Sequence, residues 1–328
     1  MNKKHLKLTA LLIALIGLAI GGVLLYPVVH QRSQAACLTP TYDDVLIPAG
    51  TVTLGDSDGY YDERVRKTVK IDSFYIDRHE VTNAQFAEFV AATGYKTVAE
   101  RIPDPNDYPG LAAEDLIAGS AVFTPPEKFY GPNVVNWWRF QPGADWRHPD
   151  GPGSSIDARE DWPVIHIAYA DALAYATWKG RDLPTEAQWE YAARAGQDTR
   201  YSWGEDYAPA GKHYANTWQG AFPLLDLGDD GFRGIARVGC FKANPNGLYD
   251  MIGNVWEWTK DTYHPSRKTI PHAAPEARSP THQLVIKGGS YLCAENYCLR
   301  YRPAARHPQE TGLGTNHLGF RTVRNIGN

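Results

Sequence analysis

The hydrophobic pattern of this chain falls into two parts. Residues 8–26 are almost uninterruptedly apolar, whereas the rest alternates short hydrophobic blocks with polar stretches that contain many glycines and prolines. In the second part, the blocks Asp43 to Leu54 and Val69 to Ile76 predict strands, and a short strand is expected at Leu284 to Ile286. Long connections separate these elements, so the body is expected to be an α+β fold that is low in regular secondary structure.

Three segments carry the end signals and the hydrophobic spacing of helices. The first begins with the capping-box sequence Thr82-Asn83-Ala84-Gln85 and is expected to end at Gly94. The second covers Ala170 to Lys179. The third begins at the capping box from Thr185 to Gln188 and is expected to end at Gly196. Because the loops between the elements are long, their backbone groups need partners other than regular ladders, and bound cations are one candidate.

The segment from Asp104 to Gly153 has no sustained period and is rich in Pro, Gly and Asn. Such a composition is also found in disordered insertions. However, the segment contains four large aromatic side chains that favour burial, namely Trp137, Trp138, Phe140 and Trp146. We therefore predict that it is an ordered part of the domain.

The N-terminal segment has the features of a membrane signal. Three lysines precede the apolar stretch Leu8 to Tyr26, which as a helix would be about 28 Å long, close to the roughly 30 Å hydrocarbon thickness of a bilayer. This length favours an uncleaved signal-anchor, while Ser33-Gln34-Ala35 leaves a cleaved signal peptide open. The basic residues place the N-terminus in the cytoplasm. Residues 1–37 are thus expected to be the signal segment, and residues 38–328 an extracytoplasmic body that is membrane-anchored or secreted.

Composition limits the function classes. The chain has 328 residues and a formal net charge of −4, which argues against a protein that binds the phosphate backbone of nucleic acids. Its hydrophobic content of 43% is enough for a packed core, so intrinsic disorder is excluded. Phosphate-loop, HExxH, CxxC and GxSxG motifs are absent from the sequence. His166 is expected to be structural, and Glu186 and Glu190 are expected to form a solvated helix face or a cap charge.

The even number of cysteines suits an exported protein, in which disulfides persist. Cys293 and Cys298 are five residues apart, so on a strand they would lie on opposite faces and on a helix about 140° apart. Their thiols meet only if the intervening residues turn the chain back. The pair is open to three interpretations: a redox dithiol, a two-thiolate site for a soft ion such as Cu(I), and a permanent disulfide. Cys37 and Cys240 either pair or stay free.

A series of ordered blocks resembles the formylglycine-generating enzyme (sulfatase-modifying factor) family over nearly all of residues 43–324. The blocks are Ile47-Pro48-Ala49-Gly50, Asp77-Arg78-His79-Glu80-Val81-Thr82-Asn83, Asp145-Trp146-Arg147-His148-Pro149, Leu183-Pro184-Thr185-Glu186-Ala187-Gln188-Trp189-Glu190-Tyr191-Ala192, Gly253-Asn254-Val255-Trp256-Glu257-Trp258, Gly288-Gly289-Ser290 and Leu318-Gly319-Phe320-Arg321. The superfamily also contains members with other activities. Residues 290–302 match the pattern Ser-Tyr-x-Cys-x-x-x-Tyr-Cys-x-Arg-Tyr-Arg of the members that generate formylglycine.

The resemblance implies a fold and a reaction. The fold is a single large C-type-lectin-like (sulfatase-modifying factor) domain over residues 38–328, following the N-terminal membrane segment. The reaction is the O2-dependent oxidation of a cysteine in an unfolded sulfatase segment of the type Cys-x-Pro-x-Arg to Cα-formylglycine. The implied partners are therefore the sulfatase polypeptide and O2. A membrane would be contacted through residues 8–26 if the segment stays uncleaved, and nucleic acid is not expected.

The same resemblance implies site residues. Cys293 and Cys298 would hold Cu(I) through two thiolates, which are ligands that select the cuprous ion. Ser290 would donate a hydrogen bond near the oxygen site, and Trp256 and Tyr297 would line the pocket. His317 departs from the family, which often has Asn at this position, and the change falls near the expected peptide groove.

Two structural Ca2+ sites are also implied by the resemblance. The first would use Asn216, the Thr217 carbonyl, Asp230 and the Phe232 carbonyl. The second would use Asp250, the Gly253 and Val255 carbonyls, and Glu257. Mixed carboxylate, amide and carbonyl oxygens are the ligands that Ca2+ prefers. The alternative function is a non-catalytic binding or maturation factor on the same scaffold, with Cys293 and Cys298 joined as a disulfide.

Overall fold

The computed structural model describes residues 37–131, 136–266 and 282–326. The strands in these ranges are β1 (Asp44–Ile47), β2 (Gly50–Leu54), β3 (Lys67–Ile71), β4 (Phe74–Asp77), β5 (Gly119–Phe123), β6 (Trp138–Pro142), β7 (Trp256–Thr262), β8 (Gln283–Lys287), β9 (His307–Glu310), β10 (Leu318–Gly319) and β11 (Val323–Asn325). The α-helices are α1 (Asn83–Thr93), α2 (Tyr169–Trp178) and α3 (Glu186–Arg194). Short 3-10 turns cover Val98–Glu100, Pro105–Asp107, Ala113–Asp115 and Pro209–Gly211.

The strands form small sheets joined by long loops. One sheet has the order β1-β4-β11, and another has the order β10-β7-β8-β9, in which only the pairing of β10 with β7 is parallel. The pairs β2-β3 and β5-β6 are antiparallel two-stranded sheets. This arrangement confirms a mixed helix and sheet fold with few helices.

The first two predicted strands are each divided in the structure. Pro48 and Ala49 separate β1 from β2, and Asp72 and Ser73 separate β3 from β4. Proline has no backbone N–H, so it interrupts a ladder at this position. As a result, β1 pairs with β4 while β2 pairs with β3, so the two halves of each predicted strand belong to different sheets.

The helix predictions are confirmed. At α1, the Gln85 N–H donates to Thr82 Oγ1 (3.3 Å), and the Thr82 N–H donates to Gln85 Oε1 (2.9 Å). Gly94 closes this helix with a φ of 66°, a left-handed conformation that glycine adopts without strain. The box from Thr185 to Gln188 caps α3 in the same way. The α3 helix ends one residue before Ala195, which takes the left-handed conformation next to Gly196.

Aromatic side chains fill the interior of the described body. Phe86 and Phe89 of α1 pack against Tyr175 of α2, and Trp146 contacts Phe86 with ring centroids 5.2 Å apart. Trp137 and Trp146 are 1% and 2% exposed, so the described parts of the segment 104–153 are packed into the body, as predicted for an ordered segment. Phe140 is the exception, because 52% of it is exposed.

The interpretation of Glu186 and Glu190 as a solvated face is wrong. The two residues are 2% and 0% exposed. The Lys287 ammonium lies 3.1 Å from Glu190 Oε2, and the Arg306 guanidinium lies 2.9 Å from Glu186 Oε2. The helix face that carries these carboxylates packs against β8 instead of water, so the charges need buried partners. Arg194, one turn along the same helix, also pairs with Glu190 (3.0 Å), whereas Lys287 and Arg306 come from distant parts of the chain, which helical spacing does not reveal.

The N-terminal predictions lie mostly outside the described residues. Residues 8–26 and the cleavage sequence from Ser33 to Ala35 are not among them. In the part of the chain that is described, no helix has the length and apolar character needed to cross a membrane. Cys37 and Cys240 form a disulfide, which decides between the two alternatives left open by the sequence.

Candidate active site

Cys293 and Cys298 lie at the two ends of a tight turn. The N–H groups of Tyr297 and Cys298 both donate to the Ala294 carbonyl, at 3.0 and 2.8 Å. The two sulfur atoms are 3.4 Å apart and are not joined as a disulfide. The chain therefore turns back between the two cysteines, which is the condition for their thiols to meet. Cys293 is buried and Cys298 is partly exposed, so the pair is open to solvent from the Cys298 side.

The protonation of the two thiols is unequal. A hydrogen bond from the Cys293 S–H lowers the pKa of Cys298, and the backbone N–H and charge of Arg300 act in the same direction. Burial, followed by the hydrogen bond to Cys298, raises the pKa of Cys293 well above its usual range. A thiol of lowered pKa beside a buried thiol is a site that suits a soft cation or a redox reaction.

Ser290 fixes the beginning of this turn. Its side chain is fully buried, and its Oγ accepts a hydrogen bond from the Leu292 N–H (3.2 Å). Its carbonyl accepts from the Cys293 N–H (2.9 Å), while the Cys293 carbonyl accepts from the Trp218 N–H (3.0 Å). Ser290 thus lies next to the thiols, and Cys293 is held through both of its backbone polar groups.

Tyr297 and a group of neighbouring rings form one wall of the site. Tyr297 is 51% exposed and stacks on Phe222, with ring centroids 4.2 Å apart. Trp137 meets Tyr297 edge-on at 5.7 Å. Trp256 is only 3% exposed and belongs to the same hydrophobic cluster as Cys293, so little of its ring faces solvent.

Two histidines flank Trp256. His307 stacks on its indole at 5.5 Å, and the His317 carbonyl accepts a hydrogen bond from the Trp256 N–H (2.8 Å). The His317 ring lies 4.8 Å from Trp138, and its Nδ1 is 2.5 Å from Thr315 Oγ1. Desolvation lowers the pKa of His317 to about 3, so this ring is neutral at neutral pH.

The loop between β2 and β3 contributes residues that the sequence did not indicate. The Leu299 N–H, next to Cys298, donates to the Tyr60 hydroxyl (3.0 Å). Arg300 Nη1 lies 3.1 Å from Asp62 Oδ2, and Arg302 Nη2 lies 2.6 Å from Glu63 Oε2. The two arginines in the cysteine motif require acidic partners, but these partners are more than 230 residues away in the sequence. No local pattern identifies them.

The first implied calcium set is brought together by the fold. Asp230 accepts hydrogen bonds from the N–H groups of Thr217 (3.0 Å) and Phe232 (2.9 Å), so the residues that carry the implied carbonyls lie beside it. Asn216 is buried and donates from Nδ2 to the Gly234 carbonyl (2.9 Å), which leaves its Oδ1 for another partner. Burial raises the pKa of Asp230 to about 6.

The second implied calcium set lies next to an additional buried carboxylate. Glu257 accepts from Arg321 and from Trp189 Nε1, each at 2.7 Å on Oε2. Asp250 accepts from the Gly239 N–H (2.6 Å), and burial raises its pKa to about 6. Glu80, which the sequence did not single out, is fully buried, and its Oε2 has no hydrogen-bond partner. Burial and the nearby Asp250 raise the pKa of Glu80 well above its usual range.

The two sets are adjacent through Asn254. Its N–H donates to the Asn216 carbonyl (2.8 Å), and its side chain donates to Glu80 Oε1 (3.0 Å). Gly253 lies so close to the Asn216 carbonyl that a Cβ atom would collide with it. This close approach requires glycine, which also has a φ of 82°.

These residues fit the metals that the resemblance implies. Among the described residues, no three His, Cys, Asp or Glu side chains converge into a metal site by themselves. The implied calcium sets, however, depend largely on carbonyl and amide oxygens. At the second set, three buried carboxylates face the single guanidinium of Arg321, and a divalent cation would balance this surplus of negative charge. The thiol pair supplies two soft ligands for a cuprous ion.

Comparisons with known proteins agree with the pattern of blocks. Residues 29–326 match the family described as "Sulfatase-modifying factor enzyme 1-like domain". The chain is 50% identical to the formylglycine-generating enzyme of Mycobacterium tuberculosis over 84% of this chain and 96% of that protein. It is 36% identical to the "Inactive C-alpha-formylglycine-generating enzyme 2" of Mus musculus, covering 86% of each. In fold it is similar to PvdO from Pseudomonas aeruginosa, with a TM-score of 0.59 and 23% identity over 86% of this chain and 94% of the other. The chain therefore belongs to the sulfatase-modifying factor enzyme 1-like family.

Proposed function

We propose that this chain is a formylglycine-generating enzyme. It would oxidise the cysteine of a Cys-x-Pro-x-Arg segment in an unfolded sulfatase to Cα-formylglycine, using Cu(I) and O2. The observation that carries the proposal is the pair of free cysteines whose sulfur atoms lie 3.4 Å apart, one buried and one partly exposed. The similarity to named formylglycine-generating enzymes supports the same function.

The electron balance defines what the reaction needs. Conversion of the substrate thiol-bearing methylene group to an aldehyde, with uptake of water and release of hydrogen sulfide, removes two electrons. Reduction of O2 to two molecules of water takes four electrons. A thiol reductant must therefore supply the two electrons that the substrate does not, and it is oxidised to a disulfide. Bound Cu(I) would supply the chemistry that activates O2.

The residues around the thiols have separate tasks in this reaction. Cys293 and Cys298 would hold the cuprous ion, and the partial exposure of Cys298 gives the side from which the substrate cysteine approaches. Tyr297 and Phe222 form an apolar wall for the peptide. The Ser290 hydroxyl, which is buried beside Cys293, would bond near the oxygen site. Enclosure of this kind limits the access of water and the oxidation of the enzyme's own sulfurs.

The two calcium sites are proposed as structural. Ca2+ at the first set would fix the loops that carry Asn216 and Asp230, and Ca2+ at the second would offset the buried carboxylates. The first set and most of the second lie in loops, where a cation would replace missing ladder hydrogen bonds, while Glu257 of the second set belongs to β7. We also propose that the body is extracytoplasmic and follows a membrane signal at residues 8–26. A reporter fused after residue 328 tests this placement, and a cytoplasmic reporter would contradict it.

The alternative is a non-catalytic factor that keeps the scaffold. The short distance between the two sulfurs is also compatible with a disulfide, and the similarity to a relative named as inactive favours this candidate. Mass spectrometry distinguishes the two functions when the protein is incubated with Cu(I), O2, a thiol reductant and a Cys-x-Pro-x-Arg peptide. The enzyme converts the peptide to an aldehyde. An unchanged peptide in the presence of copper-loaded protein would refute the proposed enzyme.

A further inference from the structure

We propose that Tyr60 is a positioning residue for Cys298 and thereby sets the geometry of the thiol pair. It belongs to the loop between β2 and β3, which is outside the cysteine motif. The inference rests on the proposed function in so far as the pair holds Cu(I). Its structural part, the control of the distance between the two sulfurs, applies to the metal-free protein as well.

The contact between Tyr60 and the motif is direct. The Tyr60 hydroxyl accepts a hydrogen bond from the N–H of Leu299, the residue that follows Cys298, at 3.0 Å. The Arg300 guanidinium lies over the Tyr60 ring, 4.2 Å from its centroid. Tyr60 therefore contacts the two residues immediately after Cys298 through its hydroxyl and its ring face.

Charged groups of the same loop fix the next part of the motif. Arg300 Nη1 lies 3.1 Å from both oxygens of Asp62, and Arg302 contacts Glu63 at 2.6 Å. Arg302 Nε also donates to the Leu299 carbonyl (2.8 Å). The side chains of Glu63 and Arg302 are 0% and 3% exposed, so this network is held in a single arrangement away from water.

The two cysteines are thus held by different parts of the chain. The backbone groups of Cys293 bond to Ser290 and to Trp218. The residues that follow Cys298 bond to the loop between β2 and β3. Leu299 bonds to Tyr60, and Arg300 and Arg302 pair with Asp62 and Glu63 of the same loop. The distance between the sulfurs consequently depends on how the loop containing Tyr60 is placed relative to the Ser290 turn. Groups that orient metal ligands in this way typically change metal affinity by about 10- to 100-fold when they are removed.

Tyr60→Phe is the sharpest test because it removes one oxygen atom and keeps the ring under Arg300. Tyr61→Phe is the matched control, since Tyr61 is the next residue and is 73% exposed. Cu(I) affinity is measured anaerobically by competition with a chromophoric cuprous chelator. We expect Tyr60→Phe to bind Cu(I) about 10-fold more weakly than the wild type, and Tyr61→Phe to bind it equally well. Equal affinity of the two variants would overturn the inference.

A second readout makes the inference independent of copper. The fraction of Cys293–Cys298 disulfide in the metal-free protein is measured at equilibrium with a dithiol buffer. Tyr60→Phe is expected to shift this fraction, whereas an unchanged fraction would overturn the positional claim. If the wild type fails to bind Cu(I), the proposed copper function fails, and the disulfide equilibrium still decides the role of Tyr60.

A second variant covers the case in which Tyr60→Phe does not fold. Asp62→Asn has the same shape and keeps the Tyr60 hydrogen bond, but it removes the nearer of the two carboxylate charges that pair with Arg300, the other being that of Glu63 at 3.3 Å. It should shift both readouts in the same direction as Tyr60→Phe. If it binds Cu(I) like the wild type and leaves the disulfide fraction unchanged, the loop has no positioning role.

Discussion

Removal of calcium should expose a specific electrostatic weakness in this fold. Without a cation at the second set, Glu80, Asp250 and Glu257 are buried together with Arg321 as their shared guanidinium. Glu80 is the carboxylate with an unpartnered oxygen. Replacing it by glutamine keeps the shape and removes a group that must bind a proton to be neutral in this site. We therefore expect Glu80→Gln to be more stable than the wild type in a chelator, although most substitutions of buried residues destabilise proteins.

The size of the effect follows from proton linkage. Burial raises the pKa of Glu80 above its unfolded value of 4.5, so the folded protein binds a proton that the unfolded chain does not. The stability associated with this proton is present at low pH and is lost as the pH rises through the folded pKa. The slope is at most about 1.4 kcal/mol per pH unit, so the stability lost between about pH 5 and about pH 7 is at most about 3 kcal/mol. For a domain of this size, this corresponds to a change in Tm of roughly 5 °C.

The assay is thermal unfolding of metal-free protein at these two pH values, with and without calcium. Glu80→Gln should lose less stability than the wild type between the lower and the higher pH. The control is Glu127→Gln, since Glu127 is exposed and should behave like the wild type. Saturating calcium should stabilise the wild type by about 3 kcal/mol at 100 times its Kd, and the variant by less. A variant that is less stable than the wild type in chelator at about pH 7 would refute the reasoning.

Three further predictions concern other parts of the molecule. Glu190→Gln removes the nearest carboxylate partner of the fully buried Lys287 and should lower the free energy of unfolding by about 3 kcal/mol, as measured by urea unfolding. An unchanged free energy of unfolding would show that Glu186 alone neutralises the lysine. His317→Asn should raise the KM for the peptide about fivefold with little change in kcat, because the substitution removes a ring that lies against Trp138. The His317 ring is neutral at pH 7, so its loss does not change the charge of the site. A fall in kcat alone would contradict a role of His317 in peptide binding. Burial lowers the pKa of His166 from 6.5 to about 4, so the stability that its neutral form provides is present above pH 6.5 and is lost as the pH falls towards 4. His166→Gln should therefore flatten the curve of Tm against pH between these values. An unchanged curve would contradict the assignment of His166 as a buried neutral residue.

Local signals predicted the local structure well. The capping boxes at Thr82 and Thr185 determine where α1 and α3 begin, because each box involves residues only three positions apart. The five-residue spacing of Cys293 and Cys298 implied that their thiols meet only if the chain turns back between them, and the structure has such a turn. His166 is buried, with Nδ1 2.8 Å from Ser120 Oγ and Nε2 2.9 Å from the Pro149 carbonyl, as expected for a structural residue.

Long-range contacts explain what the sequence could not predict. Glu190 is buried against Lys287, which is 97 positions away, and it also pairs with Arg194 on its own helix. Helical spacing shows only the second contact, which is equally common on a solvated face. The same limit applies to Glu63 and Arg302, whose ion pair joins the first loops of the body to the cysteine motif. Glu80 lies within a recognisable block, but its lack of a partner becomes visible only when Asp250 and Glu257 are placed beside it.

The central claim is that Cys293 and Cys298 form a copper site that oxidises a peptidyl cysteine. The most direct test is to titrate metal-free protein with Cu(I) and to measure aldehyde formed on a Cys-x-Pro-x-Arg peptide in the presence of O2 and a thiol reductant. The account predicts that the rate rises in proportion to copper and levels off at one equivalent per chain, and that Cys298→Ser forms no aldehyde at any copper level. Aldehyde formation that is independent of copper, or that persists in Cys298→Ser, would contradict it.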